Sequence, residues 1–258
     1  MTARLGRTAS SLAAVVLTAA CTSYFEIPIE TPIRPKLDVS AFQRVFVAGF
    51  VAGGTEDVDG NLETTRLLRS QLRTKSELRV IDADALPLVD VALDGREARE
   101  TNGGTTEEKP SGPAAIKDDA DLEEYEHVFA NVEYWKRIGE EYQQPLIVTG
   151  TVMFAPQARS GIVQRDQEVY DSFGRRRVVP VRTYMERKGF VLKPKFIFID
   201  GRTGTVLHSE NYREEILYNA NQTSPALSSY FELMDRLIPS FLSTLSSQRI
   251  KGTRILLQ

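Results

Sequence analysis

Cysteine is almost missing: Cys21 is the only one in 258 residues. No internal disulfide can form, so stability has to come from a packed core. Histidine is nearly as scarce, with His127 and His208 alone. Neither a His-x-x-x-His pair nor a Cys/His cluster exists, which argues against zinc of ordinary ligation. There is no Gly-x-Ser-x-Gly elbow, no Gly-Lys-Ser/Thr phosphate loop and no Gly-x-Gly-x-x-Gly turn. The usual sequence marks of acyl transfer and nucleotide binding are therefore absent. No run of residues reaches the roughly 20 apolar positions of a membrane helix. A cationic excess is missing too: 32 basic residues face 35 acidic ones, a formal net of −3. Phosphate backbones need a basic surface, so nucleic acid is not an expected partner. No catalytic, cofactor or metal residue is expected from these patterns, and the chain reads as a non-enzyme.

What is present begins at the N-terminus. Arg4 and Arg7 precede a short apolar run from Leu12 to Ala20, and small residues lead into Cys21. A basic start, a short apolar core and small residues at a cut site make a secretory signal peptide. Leu17-Thr18-Ala19-Ala20-Cys21 resembles a bacterial lipobox, with Thr18 three before the cysteine and Leu17 one place earlier. That resemblance implies removal of residues 1–20 and acylation of Cys21, which would hold the protein to a membrane by lipid alone. The mature chain would lose two arginines and no acid, for a net of −5. Thr22 follows the cysteine. An aspartate there favours inner-membrane retention in enteric lipoproteins, so its absence points to the outer membrane, facing the periplasm.

Residues 21–40 contain Pro28, Pro32 and Pro35. Prolines this dense exclude a helix and favour extended geometry, so the segment reads as a tether. Residues 41–258 read as one α/β domain, since 41% hydrophobic and 26% charged content suits a globular fold. Arg44–Phe50 is a strand apolar on both faces. A helix capped by Asn61 runs to Lys75, and 78–82 is a short second strand, parallel to the first. Residues 93–119 are polar and rich in Gly, Pro, Glu and Thr, a flexible loop. An apolar stripe of Leu122, Tyr125, Phe129, Val132, Trp135, Ile138 and Tyr142 predicts a helix over 121–142. Leu146–Phe154 is the strongest strand, and Gly150 within it signals a bulge or close backbone approach. Residues 159–187 form a long hairpin about a turn at Asp171–Gly174. Phe190–Asp200, interrupted by Pro194, pairs with 205–217 across the Asp200–Gly204 turn. Ser224-Pro225 opens a last helix with core positions Leu227, Tyr230, Phe231, Met234, Leu237, Ile238, Phe241, Leu242 and Leu245. Pro239 predicts a kink, and 254–257 a final strand.

Four pieces carry a resemblance to a family. They are the strand Val45–Phe50, the helix and strand of 67–82, PLIVTGTVMF at 145–154, and FIFIDGRTGTVLHSE at 196–210 with the helix after it. Together they resemble the curli-secretion lipoprotein superfamily, which includes lipoprotein activators of penicillin-binding proteins. The resemblance implies an α/β sandwich, a mixed sheet flanked by helices, that serves as a cofactor-free binding or assembly module. Members of the pore-forming branch insert two hairpins per subunit into a shared barrel. Here only one long hairpin is visible, and its first arm carries charge or amide on both faces. Charge on a lipid-facing strand costs about 2–4 kcal/mol per midplane Arg or Lys.

The expected function is a lipid-anchored envelope protein that binds or helps assemble another envelope protein. A secretion-pore subunit is the alternative and a cell-wall hydrolase the second alternative. Self-association is left open. Cys21 is the expected lipidation site. Arg175, Arg176 and Arg177 at the hairpin tip read first as a solvated turn, and second as a contact for an acidic partner or lipid headgroups. Asp57-Val-Asp-Gly-Asn61 reads as a turn and cap, since Leu68 occupies the position where a calcium loop needs glutamate. Gly53-Gly54 reads as a strand–helix junction, and His127 as lying on the exposed side of its helix.

Overall fold

The computed structural model describes residues 24–93, 116–219, 222 and 224–257. Cys21, its leader and most of the loop expected at 93–119 lie outside the described residues. The described chain divides into two compact units, one of residues up to Pro35 and from Ser247 onward, the other Lys36–Ser246.

The larger unit is an α/β sandwich built on a mixed sheet. Strand β2 (Arg44–Gly54) pairs in parallel with β3 (Arg79–Val80) on one side and β4 (Leu146–Tyr170) on the other. Strand β5 (Arg176–Asp200) runs antiparallel to β4, and both β6 (Val206–Asn211) and β7 (Glu214–Asn219) pair antiparallel to β5. Helix α1 (Gly60–Lys75) and helix α4 (Ala226–Leu245) cover one face. The other face is covered by α2 (Asp119–Glu123), a 3-10 turn over Glu126–Ala130, α3 (Val132–Glu141) and a short helix over 88–93.

Strand β2 is buried on both faces because it is central, and a bulge reverses its parity. Val45 and Val47 face α1 and α4, while Phe46 and Ala48 face the other layer. The register shifts between Val47 and Gly49, and beyond it Phe50 joins the first face and Val51 the second. Gly49 absorbs the extra residue at φ +120, a conformation that disfavours any side chain. Gly150 on β4 meets the second sequence expectation, close backbone approach. A Cβ there would stand 1.8 Å from the Lys195 carbonyl oxygen.

Several elements differ from expectation. Asp59, not Asn61, caps α1 by accepting from the Leu62 N–H at 2.9 Å. Asn61 instead accepts from the Phe50 N–H at 2.8 Å, tying the helix to the bulged strand. The helix expected over 121–142 is broken. Asp118 and Asp121 form a capping box at α2, and Asn131 starts α3 by accepting from the Tyr134 N–H. A 3-10 turn repeats at a spacing close to that of a helix, so Leu122, Tyr125, Phe129, Trp135 and Ile138 are buried across the interruption, while Val132 at the start of α3 is exposed. Pro194 does not interrupt β5. It lies opposite the gap between β6, which ends at the Lys195–Asn211 pair, and β7, which starts at Leu192–Glu214. No edge partner there demands its missing N–H, and its carbonyl accepts from the Tyr212 N–H at 2.9 Å. Helix α4 has Pro225 at its cap and no side-chain cap bond, so Ser224 does not serve as one. Leu233 is fully buried in α4, whereas Leu227 and Phe231 are 44% and 36% exposed.

The smaller unit is a two-stranded ribbon. Strand β1 (Tyr24–Ile33) pairs antiparallel with β8 (Gln248–Leu257) over ten residues each. The segment read as a free tether is thus extended, as its prolines require, but it is laddered to the far end of the chain. Pro28 and Pro32 are four apart and so share one phase of the ladder. A two-stranded ribbon has an unpaired edge at every second N–H, which is where proline is tolerated. Lys36 and Leu37 belong to the larger unit instead, through a Lys36–Glu210 ion pair and the Leu37 N–H to Thr244 carbonyl bond. That unit ends at Ser246, so the domain expected to reach 258 gives its last residues to the ribbon.

Candidate functional site

The feature that leaves the sandwich is the far half of β4 and β5. Strand β2 accompanies β4 only as far as Phe154, and β7 accompanies β5 only as far as Arg187. Beyond that the two strands pair with each other alone, from Ser160–Glu186 to Tyr170–Arg176. Eleven residues per strand at about 3.4 Å each make an arm about 37 Å long. It is continuous with the two core strands, so sheet pairing at its base sets its register.

A compact turn closes the arm. The Asp171 carboxylate accepts from the backbone N–H groups of Phe173 and Arg175, both at 2.9 Å, and from Arg175 Nε at 3.0 Å. The Arg175 backbone bond is the main cause holding this carboxyl below its ordinary range. Gly174 takes φ +72, which the turn needs. The Arg175 guanidinium lies over the Phe173 ring at 5.4 Å. Arg176 pairs with Glu168 at 2.9 Å, and Arg177 forms no ion pair among the described residues.

The arm presents apolar surface along its length and at its turn. Phe173 is 81% exposed, Ile162 72%, Tyr184 67% and Tyr170 66%. Register places Ile162 directly opposite Tyr184 on one face and Val163, Val181 and Met185 on the other. Residues 159–187 hold seven arginines against four acids, a net of +3 on a chain of −3, so the remainder carries −6. The three arginines singled out in the sequence are therefore brought together with exposed aromatic rings. The exposure of those rings is what sequence reasoning left out. The turn at Asp171–Gly174 stands where the sequence placed it, since Asp-x-x-Gly is a turn pattern.

The other candidate residues are occupied by structure. His127 is half-buried, not exposed: its Nδ1 lies 2.9 Å from the Glu124 carbonyl and its Nε2 3.1 Å from that of Ala92. His208 sits 3.4 Å from Glu210 and against the Phe198 ring. Neither histidine has a serine, threonine or cysteine side chain among these partners. Asp57 accepts from Thr55 Oγ1 at 3.0 Å, and Asp59 and Asn61 serve α1 and β2 as above. Gly53-Gly54 borders a cleft of about 430 Å³ at the start of α1, where two acids, Glu56 and Asp59, outnumber one cation, Lys117, a balance that does not favour an anion. The glycines are explained by packing. A Cβ on Gly54 would stand 1.9 Å from the Phe154 carbonyl oxygen, and one on Gly53 2.5 Å from Ile116. A second cleft of about 620 Å³ lies beside α2, and both lysines that line it are paired, Lys193 with Asp119 and Lys195 with Glu126.

No family model matches this sequence, and no curated protein matches it. Among solved structures the chain is similar to lipoprotein GNA1162 from Neisseria meningitidis, at 12% identity and a TM-score of 0.33, over 77% of this chain and 97% of that one. It is also similar to a putative neuraminyllactose-binding hemagglutinin homolog from Helicobacter pylori, at 8% identity and a TM-score of 0.34, over 82% of this chain and 86% of that one. Likeness at this level transfers no residue role to this chain. No helix among the described residues is long and apolar enough to cross a membrane.

Proposed function

We propose that this chain is a lipid-anchored, non-enzymatic protein of the bacterial cell envelope, and that it binds or helps assemble another envelope component through the 159–187 arm. The observation that carries the reading is the arm: basic on an otherwise acidic chain, tipped by Phe173 and Arg175–Arg177, and held by the sheet only at its base. Exposed aromatic and arginine side chains are the residue types that anchor interfaces. The anchor rests on the leader and Cys21, and the outer membrane on the residue after it.

A photo-crosslinker placed at Phe173 or Tyr184 in intact cells should capture one shared species. The same group at Glu232 on α4 should not, and Arg175→Gln with Arg176→Gln and Arg177→Gln should abolish capture. Capture that is equal from all three positions, or insensitive to the arginines, would sink the arm as the contact. Cys21→Ala should release the protein from washed membranes, and its retention there would refute the lipid anchor.

One observation favours a second reading, a secretion-pore subunit: the free arm is as long as a membrane strand, which needs about 9–11 residues. Against it, Arg165 and Arg177 lie on one face of the arm and Arg176 and Arg182 on the other, so either face turned to lipid carries charge. Ion conductance through reconstituted bilayers would decide for the pore.

A further inference from the structure

The β1–β8 ribbon has two unlike faces. Residues opposite one another in an antiparallel pair share a face, and alternate residues along a strand change face. One face holds Ile27, Ile29, Thr31 and Ile33 from β1, with Gly252 and Arg254 from β8. The other holds Glu26, Pro28, Glu30 and Pro32, with Arg249, Lys251, Thr253 and Ile255. Both acids of the ribbon are on this second face, where Glu30 is paired with Arg249 at 3.5 Å and Lys251 at 3.7 Å. The first face therefore combines three isoleucines, 40–44% exposed, with one cation and no acid among its described positions.

A two-stranded ribbon alone in water is marginal and needs something over its apolar face. Position along the chain supplies the candidate. Cys21 lies three residues before Tyr24, so the start of the ribbon can be no more than about 11 Å from the cysteine. We infer that the ribbon is an interfacial element that rests its isoleucine face on the lipid surface beside the anchor, with Arg254 toward anionic headgroups. The inference rests on Cys21 as the anchored residue. It adds a second contact with the same bilayer. Apolar side chains flanked by arginine suit the headgroup–acyl boundary. A second copy stacked on the same face would bring two Arg254 side chains together with no acid between them, which disfavours that occupant.

The single cysteine makes a direct test. The chain beginning at Cys21 is joined through its thiol to a maleimide diacyl lipid in vesicles of phosphatidylcholine and phosphatidylglycerol with brominated acyl chains. Trp135, the only tryptophan and fully buried, sets a constant background. Ile29→Trp and Ile33→Trp should each lose emission to the brominated chains and shift to the blue, while Lys251→Trp should do neither. Arg254→Glu should reduce the quenching of Ile29→Trp. No quenching at either isoleucine position, or equal quenching at Lys251→Trp, overturns the inference. Chains joined through a crosslinker at position 29 would mean that a second copy covers the face, and would overturn it too. Because the lipid is attached chemically, the result does not depend on whether cells acylate Cys21, which palmitate labelling in cells measures separately.

Discussion

Gly139 on α3 meets the backbone of Gly201 directly: a Cβ at Gly139 would stand 1.7 Å from the Gly201 carbonyl oxygen. The first of these glycines is inside a helix, and the second is in the turn between β5 and β6. Their contact is what lets α3 lie flat on the end of the sheet.

Gly139→Ala should therefore destabilise the protein by about 1–3 kcal/mol, the range for overpacking. At an exposed helix position the same change would stabilise by about 1 kcal/mol, through helix propensity. The sign of the shift in chemical denaturation separates the two, and a more stable variant would disprove the contact.

Two α4 residues that look alike in sequence should part company. Leu237 is 3% exposed and Phe231 is 36% exposed. Leu237→Ala should cost about 2–5 kcal/mol by leaving a cavity. Phe231→Ala should cost less than half of that, because about a third of the residue's surface is already in water. Equal losses in denaturant titration would mean that Phe231 is covered in solution.

Asp200 is buried, and its carboxylate accepts from the Arg202 backbone N–H at 2.9 Å, Nε at 2.9 Å and Nη2 at 2.8 Å. The Arg202 side-chain bonds hold this carboxyl below its ordinary range despite burial. A carboxylate whose folded pKa is lowered adds stability above the unfolded value and loses it as pH falls through the folded one. The gap in stability between wild type and Asp200→Asn should thus be full at pH 7 and shrink below about pH 4. A gap that stays constant to pH 2 would show that the asparagine loses only packing.

Replacing 161–185 by Asn-Gly should leave the fold unharmed. The Ser160–Glu186 pair would then close a two-residue turn of the type such hairpins favour. The thermal midpoint should stay within about 4 °C of wild type, equivalent to about 1 kcal/mol for a domain this size. A larger fall would reveal that the arm packs on the body.

The α/β sandwich was legible because its strands are uninterrupted apolar runs. Val45–Phe50, Leu146–Phe154 and Phe196–Ile199 can only be central strands, and the Asp200–Gly204 turn joins β5 to β6 as read. The arm was legible from its turn and its length. What the residues did not reveal was where neighbours would be. Leu227, Phe231 and Leu233 are all apolar, so the stripe of α4 is wider than its buried face, and only packing selects Leu233. Ile116 lay in what reads as a polar loop, yet its carbonyl accepts from the Gly54 N–H at 2.9 Å and its side chain fills the space over Gly53. One isoleucine between Ala114-Ala115 and Lys117-Asp118 is too small a signal to mark that pairing. The exposed rings of the arm were hidden for the opposite reason. Tyr170, Phe173 and Tyr184 read as ordinary strand and turn residues until their surroundings are known to be empty of the rest of the unit.

The ribbon has a consequence for the order of events when the chain is made. Glu30 and Arg249 are 219 positions apart, so nothing synthesised early can satisfy β1. A protein threaded through a translocon from its N-terminus would carry an unpaired, isoleucine-bearing strand until residues 248–257 emerge. Closing so long a loop is slow and depends on the rest of the fold holding the ends near each other. Loss of residues 248–257, by an early stop codon or a protease, would leave β1 without its partner. Such a product could keep a folded body and still expose a sticky edge at its N-terminus.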